Sequence, residues 1–222
     1  MTGYKYGNAW ESFPCEPGQV WSAGPHRFMV ANLLEDSLAP VLQGQTVDCL
    51  YSDPPWNLGN ETRFRSHVGL ERNVHFNEFL DGFIAVCKYT CPTGHLFIEM
   101  GKQHVELLEN KLRTAGGKVL QRVDAFYNGY GETRPTHLVC ATFGQARLKE
   151  LIPNGIKGEP LTDLALSLTD AKVVFDPCVG LGMTARHCHY QDKVCVGSEL
   201  HPRRLANVLE WFSKYYEVRR IS

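Results

Sequence analysis

The amino-acid sequence predicts an α/β fold in a single domain, with a mostly parallel sheet covered by helices on both faces. Three observations predict it. Apolar patterns of period two and of period 3.6 alternate along most of the chain. The apolar run VDCLY leads directly into Asp53-Pro54-Pro55-Trp56, an acid, two prolines and a tryptophan. The segment KVVFDPCVGLGMTARHC reads as a strand, an acid, a glycine-rich loop and a helix.

Taken in order, residues 1–25 are rich in glycine, proline and aromatics without periodicity, and read as an irregular arm packed through Trp10, Phe13 and Trp21. HRFMVAN is a short strand, LLEDSLAPVL a helix, and VDCLYS a strand. Prolines lack an amide hydrogen and fix φ, so the pair at 54–55 ends that strand at Ser52. FNEFLDGFIAVCKYT is an amphipathic helix, HLFIEMG a strand, and KQHVELLENKLRTAGG a helix closed by a glycine pair. KVLQRVDAFY and THLVCATF form an antiparallel pair, and the Gly/Pro-rich LIPNGIKGEP is a loop within the same sheet. LTDLALSLT is helical, AKVVF a strand, MTARHCHYQ a helix and KVCVGSE a strand. HPRRLANVLEWFSKYY closes the series as a helix with Pro202 in its first turn.

The composition sets bounds on function. With 222 residues, 43% hydrophobic and 21% charged, the chain is an ordinary globular sequence, which excludes disordered and fibrous classes. A formal net charge of -1 means that any phosphate-binding surface is a local patch. MTGYKYGNAWESF lacks an apolar core flanked by basic residues, and no stretch reaches the ~18 apolar residues of a membrane span. The eight cysteines lie mostly inside apolar runs, as buried thiols of a reducing compartment do. These features predict a soluble protein with no membrane partner. His187 and His189 lie on a helix pattern, and no metal is assigned to them.

The glycine-rich segment carries the first chemical signal. Gly180 and Gly182 allow a sharp turn and close approach of the backbone to a ligand. Glu199 ends the next strand, where an acid accepts hydrogen bonds from ribose hydroxyls, so the pair predicts a nucleoside-containing cofactor. Met183, Thr184 and Ala185 follow Gly182 with no third glycine, unlike the dinucleotide fingerprint. Asp176 repels a pyrophosphate and favours an ammonium or sulfonium group.

Asp53-Pro54-Pro55-Trp56, with Asp176-Pro177-Cys178-Val179-Gly180-Leu181-Gly182 downstream of it, resembles the S-adenosylmethionine-dependent amino-methyltransferases. The order, catalytic motif first and cofactor motif last, is similar to the circularly permuted beta class, and the resemblance spans His26 to Trp211. It implies a Rossmann-like methyltransferase fold with a seven-stranded, mostly parallel sheet and an antiparallel C-terminal-type hairpin. It also implies methyl transfer from S-adenosylmethionine, leaving S-adenosylhomocysteine, to the N6 amino group of adenine in DNA. Asp53 and the Pro54 carbonyl then accept the two amino N–H bonds and turn the lone pair toward the methyl group. Pro55 stiffens the turn and Trp56 stacks on the base. The target adenine is either flipped out of a duplex or single-stranded.

Further positions follow from the resemblance. Asn32 is expected near the cofactor's adenine, with Glu35 or Asp36 as alternatives, and Pro160 lies in a motif where Glu159 replaces the usual Lys. Asp176, Cys178 (a frequent Phe in the family), Gly180, Gly182 and Glu199 form the cofactor set, and Thr184 either joins them or only starts its helix. The stretches 57–75 and 127–137 read as short recognition loops. Arg63, Phe64, Arg65, His67 and Arg72 in one, and Tyr130 and Arg134 in the other, are candidates for nucleic-acid contact. A solvated surface loop is the other reading of the first. Loops this short imply a short or relaxed target sequence, or recognition shared across a homodimer. The expected location is the cytoplasm of a bacterial or phage-infected cell, with restriction-modification among the roles. Alternatives are methylation of RNA N6-adenosine or DNA N4-cytosine and, in another class, a catalytically silent nucleic-acid-binding subunit.

Overall fold

The structure, a computed structural model, describes residues 7–70, 75–129 and 132–222. The chain opens with α1 (Ala9–Ser12), β1 (Val20–Ala23), β2 (His26–Val30), α2 (Ala39–Leu42), β3 (Cys49–Ser52), α3 (Leu58–His67), α4 (Phe76–Thr90) and β4 (His95–Gly101). It continues through α5 (Val105–Thr114), β5 (Lys118–Gly129), β6 (Glu132–Thr142), β7 (Ile156–Lys157) and α6 (Glu159–Ser167). β8 (Val173–Asp176), α7 (Met183–Tyr190), β9 (Val194–Glu199), α8 (Pro202–Phe212) and β10 (Val218–Arg220) complete it.

These strands form one sheet in the order β10-β1-β2-β9-β8-β3-β4-β6-β5-β7. Seven of them lie from β2 to β5: β2, β9, β8, β3 and β4 are mutually parallel, and β6 runs antiparallel between β4 and β5. Three more strands bring the sheet to ten among the described residues, where seven were expected. β1 and β10 extend the β2 edge, so the arm expected to be irregular contains a strand; Trp21 pairs with Phe28 and covers an edge otherwise open to other chains. β7 adds two residues beside β5, inside the segment read as a loop.

Period-two alternation divides the core into two layers. Leu50, Leu96, Ile98 and Phe175 pack with Val41, Phe79, Leu80, Phe83 and Leu108 from α2, α4 and α5. Tyr51, Phe97 and Val174 face the other way, onto Leu161, Ala165, Ala185, Leu205 and Leu209 from α6, α7 and α8. In α4 the buried positions Phe76, Phe79, Leu80, Phe83, Ile84 and Cys87 follow helical spacing, and the His75 amide donates to Glu78 at its start.

Two segments differ from expectation for physical reasons. In LLEDSLAPVL only Ala39–Leu42 is helical. Upstream, the Leu34 amide donates to Asn32 Oδ1 (3.2 Å) and the Asn32 amide to Asp36 Oδ2 (2.8 Å), and such local bonds compete with a helix. The stretch 57–75, read as a loop, is helix over Leu58–His67, capped by Asn57, whose side chain accepts the Asn60 amide at 2.9 Å. In the stretch 127–137, also read as a loop, residues 127–129 end β5 and 132–137 begin β6, with Tyr127 opposite Arg134.

β3 and β8 are neighbours whose chains diverge: one runs through α3 and α4 to β4, the other through α7 to β9 on the opposite side. Divergence opens a crevice at the carboxyl ends of the strands, where α/β sheets bind ligands. Close packing closes its floor. A β-carbon on Gly197 of β9 meets Val179 Cγ2 at 2.4 Å and the Asp176 carbonyl oxygen at 2.7 Å. Gly197→Ala is therefore expected to destabilise the fold by about 1–3 kcal/mol, read as a lower urea midpoint with an unchanged m-value.

Candidate active site

A cavity of about 580 Å³ opens at this crevice, a size typical of small-molecule sites. Its wall takes Asp53 from the end of β3, Glu99 from β4, Asp176 from β8, Glu199 from β9 and Asn32 from just beyond β2. The register aligns them: Ser52 pairs with Ile98, which sets Asp53 beside Glu99, and Val30 pairs with Glu199.

Each carboxylate is held by local donors. Trp56 Nε1 donates to Asp53 Oδ1 at 2.7 Å, and Trp56 is fixed in turn: its ring lies over Gly101, its ring centre is 5.5 Å from that of Tyr127 in a near-perpendicular contact, and His104 Nδ1 sits 2.9 Å from its backbone carbonyl oxygen. Asp176 Oδ1 accepts the Ser52 hydroxyl and the Cys178 amide, each at 2.9 Å, and the buried Thr184 hydroxyl also bonds its carboxylate. Glu199 accepts the Gly180 amide at 2.7 Å and the His201 amide at 2.8 Å. The Tyr51 hydroxyl donates to Glu99 Oε1 at 2.7 Å and accepts from Thr162 Oγ1 at 3.0 Å.

These donors do not offset the loss of water. Burial raises Asp176 to about 6, against the opposing Cys178 amide and the Thr184 and Ser52 hydroxyls. Burial, then the Glu99 charge, pushes Asp53 well up; burial also lifts Glu99 and Glu199. The Arg204 guanidinium pulls Asp53 and Glu199 back down and stacks on Phe64, 4.5 Å from the ring centre. The cavity thus holds more negative charge than its walls neutralise, an electrostatic setting that favours a cationic ligand.

The motif loop has a different use for each glycine. Gly180 has φ +58°, and a β-carbon there meets nothing closer than the Cys178 carbonyl oxygen at 3.8 Å, so the backbone faces open space. Gly182 has φ +83°, and a β-carbon there would meet Val208 Cγ2 of α8 at 3.0 Å. Gly182 serves helix packing and is not on the cavity wall; Pro160, exposed in the first turn of α6, is not on it either, while its neighbour Glu159 lines the cavity and pairs with Arg186 at 3.0 Å. Cys178 and Thr184 do line it.

Among the residues expected to meet nucleic acid, Arg63, Phe64, Arg65 and Arg134 reach the cavity wall, with Arg63 and Arg134 exposed at its mouth. Arg65 is buried and lies 3.5 Å from both Glu61 and Glu35, so its charge is used inside the protein, which corrects its reading as a phosphate contact. His67 sits off the cavity wall, its ring 6.3 Å from that of His201. Arg72 and Tyr130 lie outside the described residues. Sequence reasoning missed Glu99, Arg204 and Glu61. Glu99 is an acid inside the otherwise apolar run HLFIEMG, a legible signal; Arg204 lies in an ordinary helix pattern and carries none.

The sequence matches no family model and no curated protein. Solved structures do share the fold. The chain superposes on M1.HpyAVI with a TM-score of 0.61 at 16% identity, covering 84% of this chain and 98% of that one. TTHA0409 of Thermus thermophilus, designated a DNA modification methylase and solved with S-adenosyl-L-methionine, matches with a TM-score of 0.61 at 18% identity over 85% and 93%. The PvuII DNA methyltransferase, cytosine-N4-specific, gives 0.62 at 12% identity over 91% and 94%. The chain has the α/β fold that these three structures share.

The Asp176 shift has a pH signature. Its carboxyl is raised in the fold, from 3.8 to about 6, so the native state binds more protons than the unfolded chain between these values. Its stabilising effect is complete below about pH 4 and is lost as pH rises through 6. Asp176→Asn, neutral throughout, is expected to gain on the wild type by about 2 kcal/mol between pH 4 and 7. Urea titrations at the two pH values measure the difference, and a constant gap contradicts the assignment.

Proposed function

We propose that the protein transfers a methyl group from S-adenosylmethionine to the N6 amino group of adenine in DNA. The observation that carries this reading is one cavity shared by Asp53-Pro54-Pro55-Trp56 and the Asp176–Gly180–Glu199 set. S-adenosylmethionine supplies an electrophilic methyl group on a cationic sulfonium. The residues present fit it: the carboxylates burdened by burial favour a cation, Glu199 sits where ribose hydroxyls are bound, and the open backbone at Gly180 admits a close ligand. Neighbours of the same fold, one solved with this cofactor and one a DNA methyltransferase, support the class.

In this reading Asp53 and the Pro54 carbonyl accept the amino N–H bonds, and the prolines keep the acceptors in place before the base arrives. Trp56 orients the Asp53 carboxylate through its indole N–H and offsets part of the upward pull of burial and Glu99. Arg63 and Arg134 at the mouth hold backbone phosphates, with Tyr127 and Phe64 as apolar surfaces beside a base flipped out of its stack. The permuted beta-class order belongs to this proposal, as do a short or relaxed target sequence and a homodimer. N4-cytosine is the second reading, favoured by the likeness to the cytosine-N4-specific enzyme; the aspartate that opens the motif favours adenine.

Incubation with labelled S-adenosylmethionine and unmethylated duplex DNA, followed by nucleoside mass spectrometry, is expected to give N6-methyladenine. N4-methylcytosine selects the second reading, and no methylated base with cofactor binding intact removes the DNA assignment. Asp53→Ala is expected to abolish product. Trp56→Phe, which keeps the ring and loses the donor, is expected to lower kcat by about 10- to 100-fold with little change in cofactor affinity. Arg63→Ala and Arg134→Ala are each expected to weaken DNA binding and to reduce the salt slope by about 1, measured by fluorescence anisotropy between 50 and 200 mM salt.

A further inference from the structure

We infer that Glu99 forms a working pair with Asp53: the two carboxylates are ionised beside a bound sulfonium and, as that charge is neutralised, take up the proton that the methylated amino group sheds. The inference rests on the methyl-donor reading above and adds one residue, Glu99, to the reaction centre.

β4 lies beside β3, and the parallel register that pairs Ser52 with Ile98 brings Asp53 level with Glu99 at the strand ends. Both residues line the cavity. Glu99 stands in β4 between Ile98 and Met100 and is only 6% exposed, a place where a charge is unfavourable unless donors satisfy it. Few do. The Tyr51 hydroxyl donates to Glu99 Oε1, Thr162 Oγ1 of α6 donates to the Tyr51 oxygen, and no other donor among the described residues bonds the carboxylate. This chain of hydroxyls fixes Glu99 from the helix layer, while the Trp56 indole N–H fixes Asp53. A third acid, Asp176, ends β8 on the other side of β3, and against these carboxylates the Arg204 guanidinium of α8 acts on Asp53.

Two crowded carboxylates hold a proton in common, and it belongs to the pair. Burial lifts Glu99 to about 7, with the Tyr51 hydroxyl opposing the shift and the Asp176 charge adding to it; burial and then the Glu99 charge push Asp53 up. A cation in the same cavity favours both ionised forms, so the pair gives up its proton when a sulfonium ligand binds and Asp53 becomes free to accept an amino N–H. In the transfer the N6 lone pair forms the new N–C bond, and the C–S electron pair passes to sulfur, leaving a neutral thioether. One N–H bond then breaks; its electrons stay on nitrogen, and the proton goes to Asp53 and is shared with Glu99. Loss of the sulfonium charge thus raises the proton affinity of the pair at the step that releases a proton, and the net charge of the cavity does not change.

Calorimetric titration of the full-length protein at pH 7 with S-adenosylmethionine and with S-adenosylhomocysteine, each in two buffers of different ionisation enthalpy, counts the protons exchanged on binding. The two ligands differ only in the methyl group and its charge. The wild type is expected to release more protons with S-adenosylmethionine, by about half a proton per site. Glu99→Gln, whose amide oxygen still accepts from Tyr51, is expected to reduce that difference about threefold or more, and circular dichroism melts establish that it folds. Its single-turnover methylation rate is expected to fall about 10-fold or more. Equal proton counts for the two ligands in the wild type overturn the inference alone, as does a difference that persists in the folded variant, which places the proton on another acid. Failure of the wild type to bind either compound overturns the methyl-donor reading and the role of the pair with it.

Discussion

The Ser52 hydroxyl, donating to Asp176 Oδ1 at 2.9 Å, joins β3 to β8 at the point where the sheet's connections diverge. The two motifs, 123 positions apart in the chain, become one site through that junction. Because β3, β8, β9 and β4 are parallel, their carboxyl ends share one rim, and each supplies an acid to it. Packing on both faces excludes water from that rim, so the acids rely on a small set of donors: Ser52, Thr184, Tyr51, Trp56 and the loop amides of Cys178, Gly180 and His201. Most of what distinguishes this end of the molecule follows from supplying those donors.

Rigidity comes from the same need. The prolines at 54 and 55 remove two amide donors from a region crowded with acceptors and limit the backbone to one path. Trp56 closes the turn onto Asp53, and its own carbonyl is held by His104, so the carboxylate is positioned from two elements at once. This arrangement is fitted to hold a substrate group before reaction, the condition under which orientation lowers a barrier most.

The site's other half depends on charge more than on apolar packing. α3 buries Glu61 and Arg65 one turn apart, an i,i+4 ion pair at 3.5 Å, and Arg65 continues the network to Glu35. A helix fixed by such contacts has no apolar stripe, which is why periodicity missed it; the Asn57 cap and the Glu61–Arg65 spacing were the available signals. The strands β1, β7 and β10 were missed for a related reason. They are two to four residues long, too short for alternation to register, and exist because a neighbouring edge is available to pair with.

Local pattern by itself determined the strands β4, β8 and β9, the helices α4, α5 and α8, and the places where strands end in acids, because period, caps and prolines act within a few residues. It also determined which residues carry chemistry in Asp53–Trp56 and in the Asp176–Gly180 loop. Only the tertiary structure decided that these two share a cavity with Glu99, Glu61 and Arg204, that Arg65 is spent on Glu61 and Glu35, and that Gly182 serves packing while Gly180 faces open space. The physical reason is range. Helix and strand preferences are fixed by neighbours along the chain, whereas burial, and with it the charge state and pairing of an acid, depends on elements brought in from far along it.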